Sequence, residues 1–386
     1  MSLLKRQREL DNLFKNFDRN GFSAKDLEDL CSEKYLDMGN ADWIHWSAEI
    51  YSFGKWIRKY GYYPSWLPLM IMTDHSPSFY ATDEPTGRTY VEVTDVRVMF
   101  YHSKENTEIA KREFRDLNKN IYTMYSPIGF CQKCLNLHQS PNARGTLAFL
   151  YHTIPESNDE SNKKELIKQL LALPTHMQPL TICIHSHDIK KGTHRIFLQN
   201  NISVVSAGET CDRRFGERLL TIMSHFKYAV SNVIGSQIYY TSIIGLPHSI
   251  YGLEPVETFQ DGFAGWELEY WKKFPGTKIR NNLFKGINTT ITAEQWSIVV
   301  KDMGLDDGIS RIKMAKILYG EYFSQRHPLL ICKDLFRAVF VLPVKKAMPY
   351  LLEFSFARAC LVKFLHFKHK GNAKLLVKSL QRWGLD

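Results

Sequence analysis

Residue types suited to acid–base chemistry follow short apolar runs at several points of this sequence. Asp74 and His75 come one residue after the apolar run 67–72, at a turn rich in serine and proline. Because α/β sheets bind ligands at the carboxyl ends of their strands, an Asp-His pair there is well placed to supply a catalytic base. The alternative is an aspartate that caps the turn beside an exposed histidine. His152 lies in a second polar cluster, after the apolar run 146–150.

Three apolar runs in the second half of the chain, which end near residues 184, 205 and 230, also finish in polar or small residues. His185–Asp188 follows the first run, and Gly208–Glu209 follows the second. Parallel strands would bring these turns to one edge of a sheet, which predicts a nucleotide site there. We expect His185 and His187 to face one side of an extended segment. A metal ion would need further ligands, so we expect a polar loop that faces the substrate, without metal.

The stretch 228–251 reads as a strand, a small-residue turn, a helix and a second strand. Gly245 and Pro247 mark the end of the helix, which we expect over 237–244. The amino-terminal end of such a helix offers free backbone N–H groups and a positive dipole to a phosphate, and Ser231 and Ser236 could add hydroxyl donors. The alternative is a buried crossover whose serines cap the helix.

The length of 386 residues, with 44% hydrophobic residues, is ample for two packed domains. Pro174 and Pro179 flank a predicted linker. We therefore expect an N-terminal α/β domain with leading helices over 1–174, a nucleotide-binding Rossmann-like domain over 175–330 and C-terminal helices over 331–386. We expect no secretory signal and no spanning helix.

Seven scattered cysteines favour a reducing cytoplasm over a disulfide framework. Cys131 and Cys134, with His138 nearby, lack the second ligand pair of a structural zinc site, so a surface loop is expected there.

The net charge of +10 suggests an anionic partner. Residues 354–385 carry seven Lys and Arg residues, no acid, and Leu, Phe and Trp at helical spacing. This pattern is typical of a helix in a membrane interface beside anionic lipid. The alternative is a helix packed on the body with a solvated basic face. Since the tail holds most of the excess charge and the body shows no nucleic-acid-binding motif, no nucleic-acid partner is expected.

In order, these motifs resemble the donor-binding half of a two-domain GT-B glycosyltransferase. Over roughly residues 60–255 the chain is similar to enzymes of bacterial surface-polysaccharide clusters, including those that use CMP-activated acidic sugars such as sialic acid and Kdo. The resemblance implies an α/β GT-B-like fold, with two Rossmann-like domains facing a cleft and C-terminal helices. It places Asp74, His75 and His152 where the acceptor domain supplies its base. The residues implied for the donor nucleotide and phosphate are His185, Ser186, Asp188, Gly208, Glu209, Arg214, Arg218, Ser231, Asn232, Gly235, Ser236 and Tyr239.

The resemblance implies transfer of a sugar from a nucleotide-activated donor, with a CMP-linked acidic sugar favoured, to a lipid-linked or surface glycan acceptor. No Asp-x-Asp triplet of metal-dependent transferases occurs, so we expect no metal and no cofactor. With the basic tail, it implies a cytoplasmic enzyme that is peripheral on the inner membrane. Two alternatives stay open: another nucleotide-sugar enzyme such as an epimerase or a nucleotide hydrolase, and a non-catalytic membrane-associated scaffold of polysaccharide assembly.

Overall fold

A computed structural model describes residues 3–74, 77, 94–260, 272, 275–343, 365, 368 and 375. His75 and nearly all of the basic tail 354–385 lie outside these residues. The strands are β1 (Ile71–Thr73), β2 (Val98–Tyr101), β3 (Asn120–Thr123), β4 (Thr146–Phe149), β5 (Ser157–Asp159), β6 (Leu180–Cys183), β7 (Ser203–Val205), β8 (Tyr228–Ser231), β9 (His248–Ile250) and β10 (Glu257–Phe259).

Helices surround the strands along the whole described chain, and none of the described helices is long and apolar enough to cross a bilayer. They are α1 (Leu3–Lys15), α2 (Ala24–Leu30), α3 (Phe53–Tyr60), α4 (Lys104–Glu113), α5 (Pro127–Leu135), α6 (Lys163–Leu171), α7 (Ser186–Lys190), α8 (His194–Gln199), α9 (Phe215–Ser224), α10 (Gln237–Ile244), α11 (Pro275–Phe284), α12 (Ala293–Asp302), α13 (Arg311–Gln325) and α14 (Pro328–Phe336). The predicted α/β class is confirmed.

The larger sheet has five parallel strands in the order β7-β6-β4-β8-β9. Its central strand β4 pairs with β6 on one side and with β8 on the other, so that Phe149 is in register with both Cys183 and Ser231. This is the order of a doubly wound sheet, in which the chain starts in the middle and builds outward in both directions. The strand order reverses between β4 and β8, and ligands of such sheets bind beyond the carboxyl ends of the strands at that point.

The predicted domain boundary after residue 174 falls inside this sheet. Strand β4 belongs to the predicted unit 1–174 but pairs on both sides with strands that follow residue 175. The expected linker lies against the start of β4, because the Thr146 N–H donates to Pro179 O (2.9 Å) and its hydroxyl donates to Met177 O (2.6 Å). Helix α1 also packs against α9 of the second unit.

The smaller parallel sheet, β1-β2-β3, is held by the segment just before α3. Ser47 accepts a hydrogen bond from the Thr73 N–H (3.0 Å), and the Thr73 hydroxyl donates to Ser47 O (2.8 Å). Buried Arg58 donates two hydrogen bonds to buried Glu49 (2.8 and 2.6 Å). One cluster of buried apolar side chains includes residues of both parallel sheets, so the two share a continuous core.

Cys131 and Cys134 lie in helix α5 rather than in the expected surface loop. Ser126 caps this helix by accepting from the Gly129 N–H (3.2 Å), and Pro127 occupies its first turn. Cys131 is buried and Cys134 is exposed. In the part of the chain that the structure describes, no group of three or more His, Cys, Asp or Glu residues is arranged to hold a metal ion.

Replacing Glu49 by alanine would leave the Arg58 guanidinium buried without its carboxylate. We expect the free energy of unfolding to fall by about 3–5 kcal/mol, the cost of breaking one side of a buried ion pair. The control is Glu108→Ala, which removes an exposed pair with Lys111 and should have no measurable effect. Urea denaturation of both variants measures the difference, and equal, small losses would contradict the structural role of the buried pair.

Candidate functional site

Three histidine rings lie side by side at the carboxyl edge of the five-stranded sheet, with His185 in contact with the other two. His152 follows β4 and His185 follows its neighbour β6, so the register of the strands places them side by side. Their ring centroids are 4.4 Å apart with planes at 21°, and the His187 ring lies 4.8 Å from that of His185. His152 is exposed, whereas His185 and His187 are half-buried. We call these three residues the histidine stack.

His185 and His187 do not alternate along an extended segment, as the sequence predicts. Helix α7 begins at Ser186, and His185 caps it by accepting a hydrogen bond from the His187 N–H at Nδ1 (3.3 Å). A neutral ring that accepts at Nδ1 carries its proton on Nε2. Nε2 of His185 is buried and has no hydrogen-bond partner among the described residues.

The inner ring of the stack stays neutral at physiological pH. Burial is the main reason that the pKa of His185 lies well below its ordinary value, and the nearby positive charges of His152, His187 and Lys190 act in the same direction. Burial, followed by the charge of His152, also lowers the pKa of His187. The lowered pKa values of His185 and His187 favour their neutral imidazole forms.

Asp188 ties helix α7 to the loop after β4 and so holds the stack together. The Thr153 hydroxyl donates to Asp188 Oδ1 (2.8 Å), and Lys191 Nζ donates to Thr153 Oγ1 (2.9 Å). Burial raises the pKa of Asp188, although the Thr153 hydrogen bonds and the charges of His152 and Lys191 counter it. These contacts keep the loop that carries His152 beside the end of β6.

Ser186 and Glu209 join the end of β6 to the end of β7. The Ser186 hydroxyl lies 3.4 Å from Glu209 Oε2, and Lys190 forms an ion pair with the same carboxylate. Glu209 and Ser186 are both buried. The structure thus brings these predicted residues to the carboxyl edge beside the histidine stack, where they bind each other.

Ser231, at the end of β8, belongs to a buried hydrogen-bond network. Its hydroxyl lies 2.8 Å from Val233 O and 2.9 Å from Nε2 of His248, and Nδ1 of His248 lies 3.1 Å from the Thr241 hydroxyl. Burial lowers the pKa of His248 to about 3. The Ser231 hydroxyl is therefore engaged inside the sheet rather than directed toward a phosphate.

Asn232 connects the ends of three strands. Its side-chain oxygen accepts from the Tyr151 N–H (2.8 Å), after β4, and its side-chain nitrogen donates to Leu253 O (3.0 Å), after β9. The side chain thereby fixes the gap between β4 and β8, which is the reversal point of the sheet.

Gly235 and Ser236 lie at the start of α10, on the β8 side of that gap. Both are half-buried, and Ser236 occupies the capping position without making a capping hydrogen bond. Of the predicted phosphate-binding residues after β8, Ser231 and Asn232 are buried, so Gly235 and Ser236 are the more accessible pair.

Arg214 and Arg218 are paired with carboxylates. Arg214 contacts Asp11 (2.9 Å) and Asp212 (2.6 Å), and Arg218 contacts the same two residues at 3.1 and 3.3 Å. The four side chains bind α1 to the start of α9. A phosphate at either arginine would have to displace these partners, so the structure does not bring the two arginines into the histidine stack.

Tyr239 and Gly208 also have roles within the fold. Tyr239 is fully buried, and its hydroxyl donates to Asp302 (2.8 Å), which also pairs with Arg280. Gly208 has a positive φ of 87°, and a Cβ there would lie 2.8 Å from Leu30 O. Close backbone packing therefore explains this glycine.

Asp74 lies beside a histidine that the sequence analysis missed. Its N–H donates to Phe100 O (2.8 Å), which extends the β1–β2 pairing, and its carboxylate lies 3.8 Å from Nδ1 of His102. His102 is wholly buried against the edge of Phe53, and its ring nitrogens have no hydrogen-bond partner within the described ranges. The position of His102 in the sequence could have identified it, since His102 follows β2 just as Asp74 follows β1.

The ends of the two parallel sheets approach each other near Tyr51 and Tyr240. The Tyr51 N–H donates to Thr210 O (2.6 Å), in the loop that follows β7. Burial raises the pKa of Tyr240, in the first turn of α10, and the charge of Asp74 contributes in the same direction. Asp74 is thus within electrostatic range of the helix that starts at the β4–β8 gap.

A cavity of about 230 Å³ opens next to the histidine stack, between the residues that follow β4 and those that follow β6. Its wall includes His185 and Asp188 from the β6 end, Tyr151 and Thr153 from the β4 loop, and residues 158–160 from β5 and beyond. The volume is smaller than the roughly 300–1,000 Å³ of clefts that enclose a whole drug-sized ligand, so the cavity fits one group of a larger molecule.

No family model and no curated protein matches the sequence. Among solved structures, the chain is similar to the wall teichoic acid polymerase TagF, with 11% identity, a TM-score of 0.41, and coverage of 84% of this chain and 99% of that one. A histidine-to-alanine variant of TagF has 10% identity and a TM-score of 0.39, at 84% and 99% coverage. A variant soaked with CDPG has 8% identity and a TM-score of 0.36, at 84% and 98% coverage.

His248 should make the stability of the protein depend on pH. Between pH 6.5 and pH 3 the folded protein keeps this ring neutral while the unfolded chain protonates it, so added protons favour unfolding. From pH 7 to pH 5.5 we expect the free energy of unfolding to fall by about 1 kcal/mol more in the wild type than in His248→Gln. Urea denaturation at the two pH values measures both slopes. Equal slopes would mean that the folded protein accommodates a charged His248.

Proposed function

We propose that the protein is a glycosyltransferase that binds a nucleotide-activated donor at the carboxyl edge of its five-stranded sheet. The observation that carries this proposal is the histidine stack at the ends of β4 and β6, beside the reversal point of a doubly wound sheet. Such an edge is where open α/β sheets bind nucleotides. Nε2 of His185 in this stack is a buried polar atom without a hydrogen-bond partner among the described residues, and such atoms are rare unless they have a role.

His152 is the general base of the proposed reaction. It is the exposed member of the stack, and the ring of His185 beneath it sets its orientation. Imidazole suits this role because it accepts and releases a proton near neutral pH. In the transfer step, His152 would take the proton of an acceptor hydroxyl while the acceptor oxygen bonds to the anomeric carbon. The bond from that carbon to the donor phosphate breaks, and the phosphate leaves with the electron pair.

Gly235 and Ser236 are the proposed contacts of the departing phosphate. They lie at the start of α10, where the backbone N–H groups and the positive end of the helix dipole favour an anion. Stabilising the leaving group in this way needs no metal ion, so we propose metal-independent transfer. Arg214 and Arg218 have no part in this proposal, because Asp11 and Asp212 already neutralise them.

Asp74 and His102, which lie 3.8 Å apart at the ends of β1 and β2, are the groups that we place on the acceptor side of the proposed site. The hydrogen bond from the Tyr51 N–H to Thr210 O supports a common cleft between the two parallel sheets, as in the GT-B-like arrangement. The CMP-linked acidic sugar, the lipid-linked or surface glycan acceptor, and the contact of residues 354–385 with the inner membrane stay predictions from the sequence.

Steady-state transfer assays on purified protein test the role of His152. With the nucleotide-sugar that supports turnover, we expect His152→Ala to lower kcat by roughly 10²–10⁴-fold, with little change in KM for the donor, because the base acts in the transition state. His176→Ala is the matched control. His176 is an exposed histidine near the opposite, amino-terminal edge of the same sheet, and its removal should leave kcat unchanged.

The same assays separate the proposed function from its alternatives. Activity that persists in EDTA would agree with metal independence, whereas its loss would contradict it. Release of free sugar without any dependence on an acceptor would identify a nucleotide-sugar hydrolase. Absence of nucleotide binding at millimolar ligand would favour the scaffold, and full activity of His152→Ala would remove His152 from catalysis.

A further inference from the structure

Helix α14 carries large apolar side chains on its solvent-facing side. It continues into a π-helical turn, Arg337–Val341, so that the two together cover residues 328–341. The Phe336 and Phe340 rings lie 4.9 Å apart and belong to one surface. Because the apolar side of a surface helix normally packs against the core, an exposed set of this kind marks an interaction site. We call this set the α14 face; its six side chains, each 37–73% exposed, are Leu329, Leu330, Leu335, Phe336, Val339 and Phe340.

Polar contacts on the inner side of α14 fix the helix to the body. Asp334 is fully buried and pairs with Arg326 (3.0 Å). Asp42, in the segment before α3, pairs with Arg326 (2.8 Å), Lys333 (3.3 Å) and Arg337 (3.0 Å). A rotation that buried the α14 face would pull Asp334 away from Arg326, and unpairing a buried charge is costly. The face is therefore held toward solvent.

The sequence spacing of the face matches that of a helix that packs against another helix. Leu329, Cys332, Phe336 and Val339 follow one another at intervals of three, four and three residues, the alternation of a coiled-coil seam. Cys332 is exposed like the other three, so all four positions are open to a partner. A seam of this period receives the side chains of one further helix, and α14 itself has the required pattern.

Charge and area favour a second copy of this chain over a membrane surface. Lys333 and Arg337 are the cations of residues 328–341, and both are already paired with Asp42. They therefore offer little free charge to lipid phosphates, and in two facing copies they do not oppose each other as bare cations. With roughly 150–200 Å² for each whole side chain, the exposed fractions amount to about 600 Å² per copy, the same order as the ~800 Å² per partner of a standard interface.

We propose that the α14 faces of two copies of this chain pack against each other around a two-fold axis, so that the protein is a dimer. The contact is isologous, because each copy contributes the same surface. Cys332 lies within the seam, so the two copies of this residue come close together. The inference does not depend on the proposed function, since no residue of the face follows a strand of either parallel sheet.

Sedimentation equilibrium of the full chain at micromolar concentrations tests the proposal. We expect the wild type to be dimeric and Phe336→Glu to weaken the dimer by at least about 30-fold, because the change places one carboxylate from each copy in an apolar contact. The matched control is Ile279→Glu, which puts the same charge on a 58% exposed apolar residue of α11 and should leave the dimer intact. Both variants should keep the far-ultraviolet circular dichroism of the wild type.

Thiol cross-linking tests the same contact without disrupting it. In Cys134→Ser, which removes an exposed cysteine outside α14, a short bis-maleimide should join two chains through Cys332, as read by mass spectrometry. A wild type that stays monomeric would overturn the proposal, and so would a dimer that Phe336→Glu leaves unchanged. If a monomeric wild type binds phosphatidylglycerol vesicles and Phe336→Glu does not, the face belongs to lipid and the dimer is likewise overturned.

Discussion

The pairing of β4 with a neighbour on each side is the constraint on which the rest of the structure depends. Because β6 and β8 both run parallel to β4, the residues that follow all three strands meet at one edge. On the β6 side this pairing stacks His152 against His185, and on the β8 side it lets Asn232 accept from the Tyr151 N–H. The acid–base groups and the start of α10 are therefore neighbours in space although they are far apart in the chain.

Most buried charges in the described chain serve to hold elements together. Glu49 pairs with Arg58 before β1, Asp302 pairs with Arg280 behind α10, and Asp334 pairs with Arg326. Pairs of this kind are costly to break once they are buried. Against this background, Nε2 of His185 is a buried polar atom at the carboxyl edge that has no hydrogen-bond partner among the described residues.

The strand ends could be predicted from the sequence because each apolar run is followed abruptly by polar or small residues. Helix α10 could be predicted as well, since Gly245 ends it in the left-handed conformation, with φ of 91°, that favours glycine. What each polar residue contacts could not be predicted. Asp11 neutralises Arg214 from 203 positions away, and local spacing carries no information about such a pair. The pairing of β4 within the five-stranded sheet could not be predicted for the same reason, because periodicity identifies a strand but not its neighbours.

The most direct test of the account is histidine-selective NMR of the protein during titration with CMP, UDP, GDP and ADP. If the nucleotide binds at the carboxyl edge of the five-stranded sheet, the imidazole signals of His152, His185 and His187 should shift with one of these ligands. Those of His176, near the opposite edge, and of His248, inside the core, should stay in place. Binding that shifts His176 and leaves the histidine stack unchanged would contradict the account.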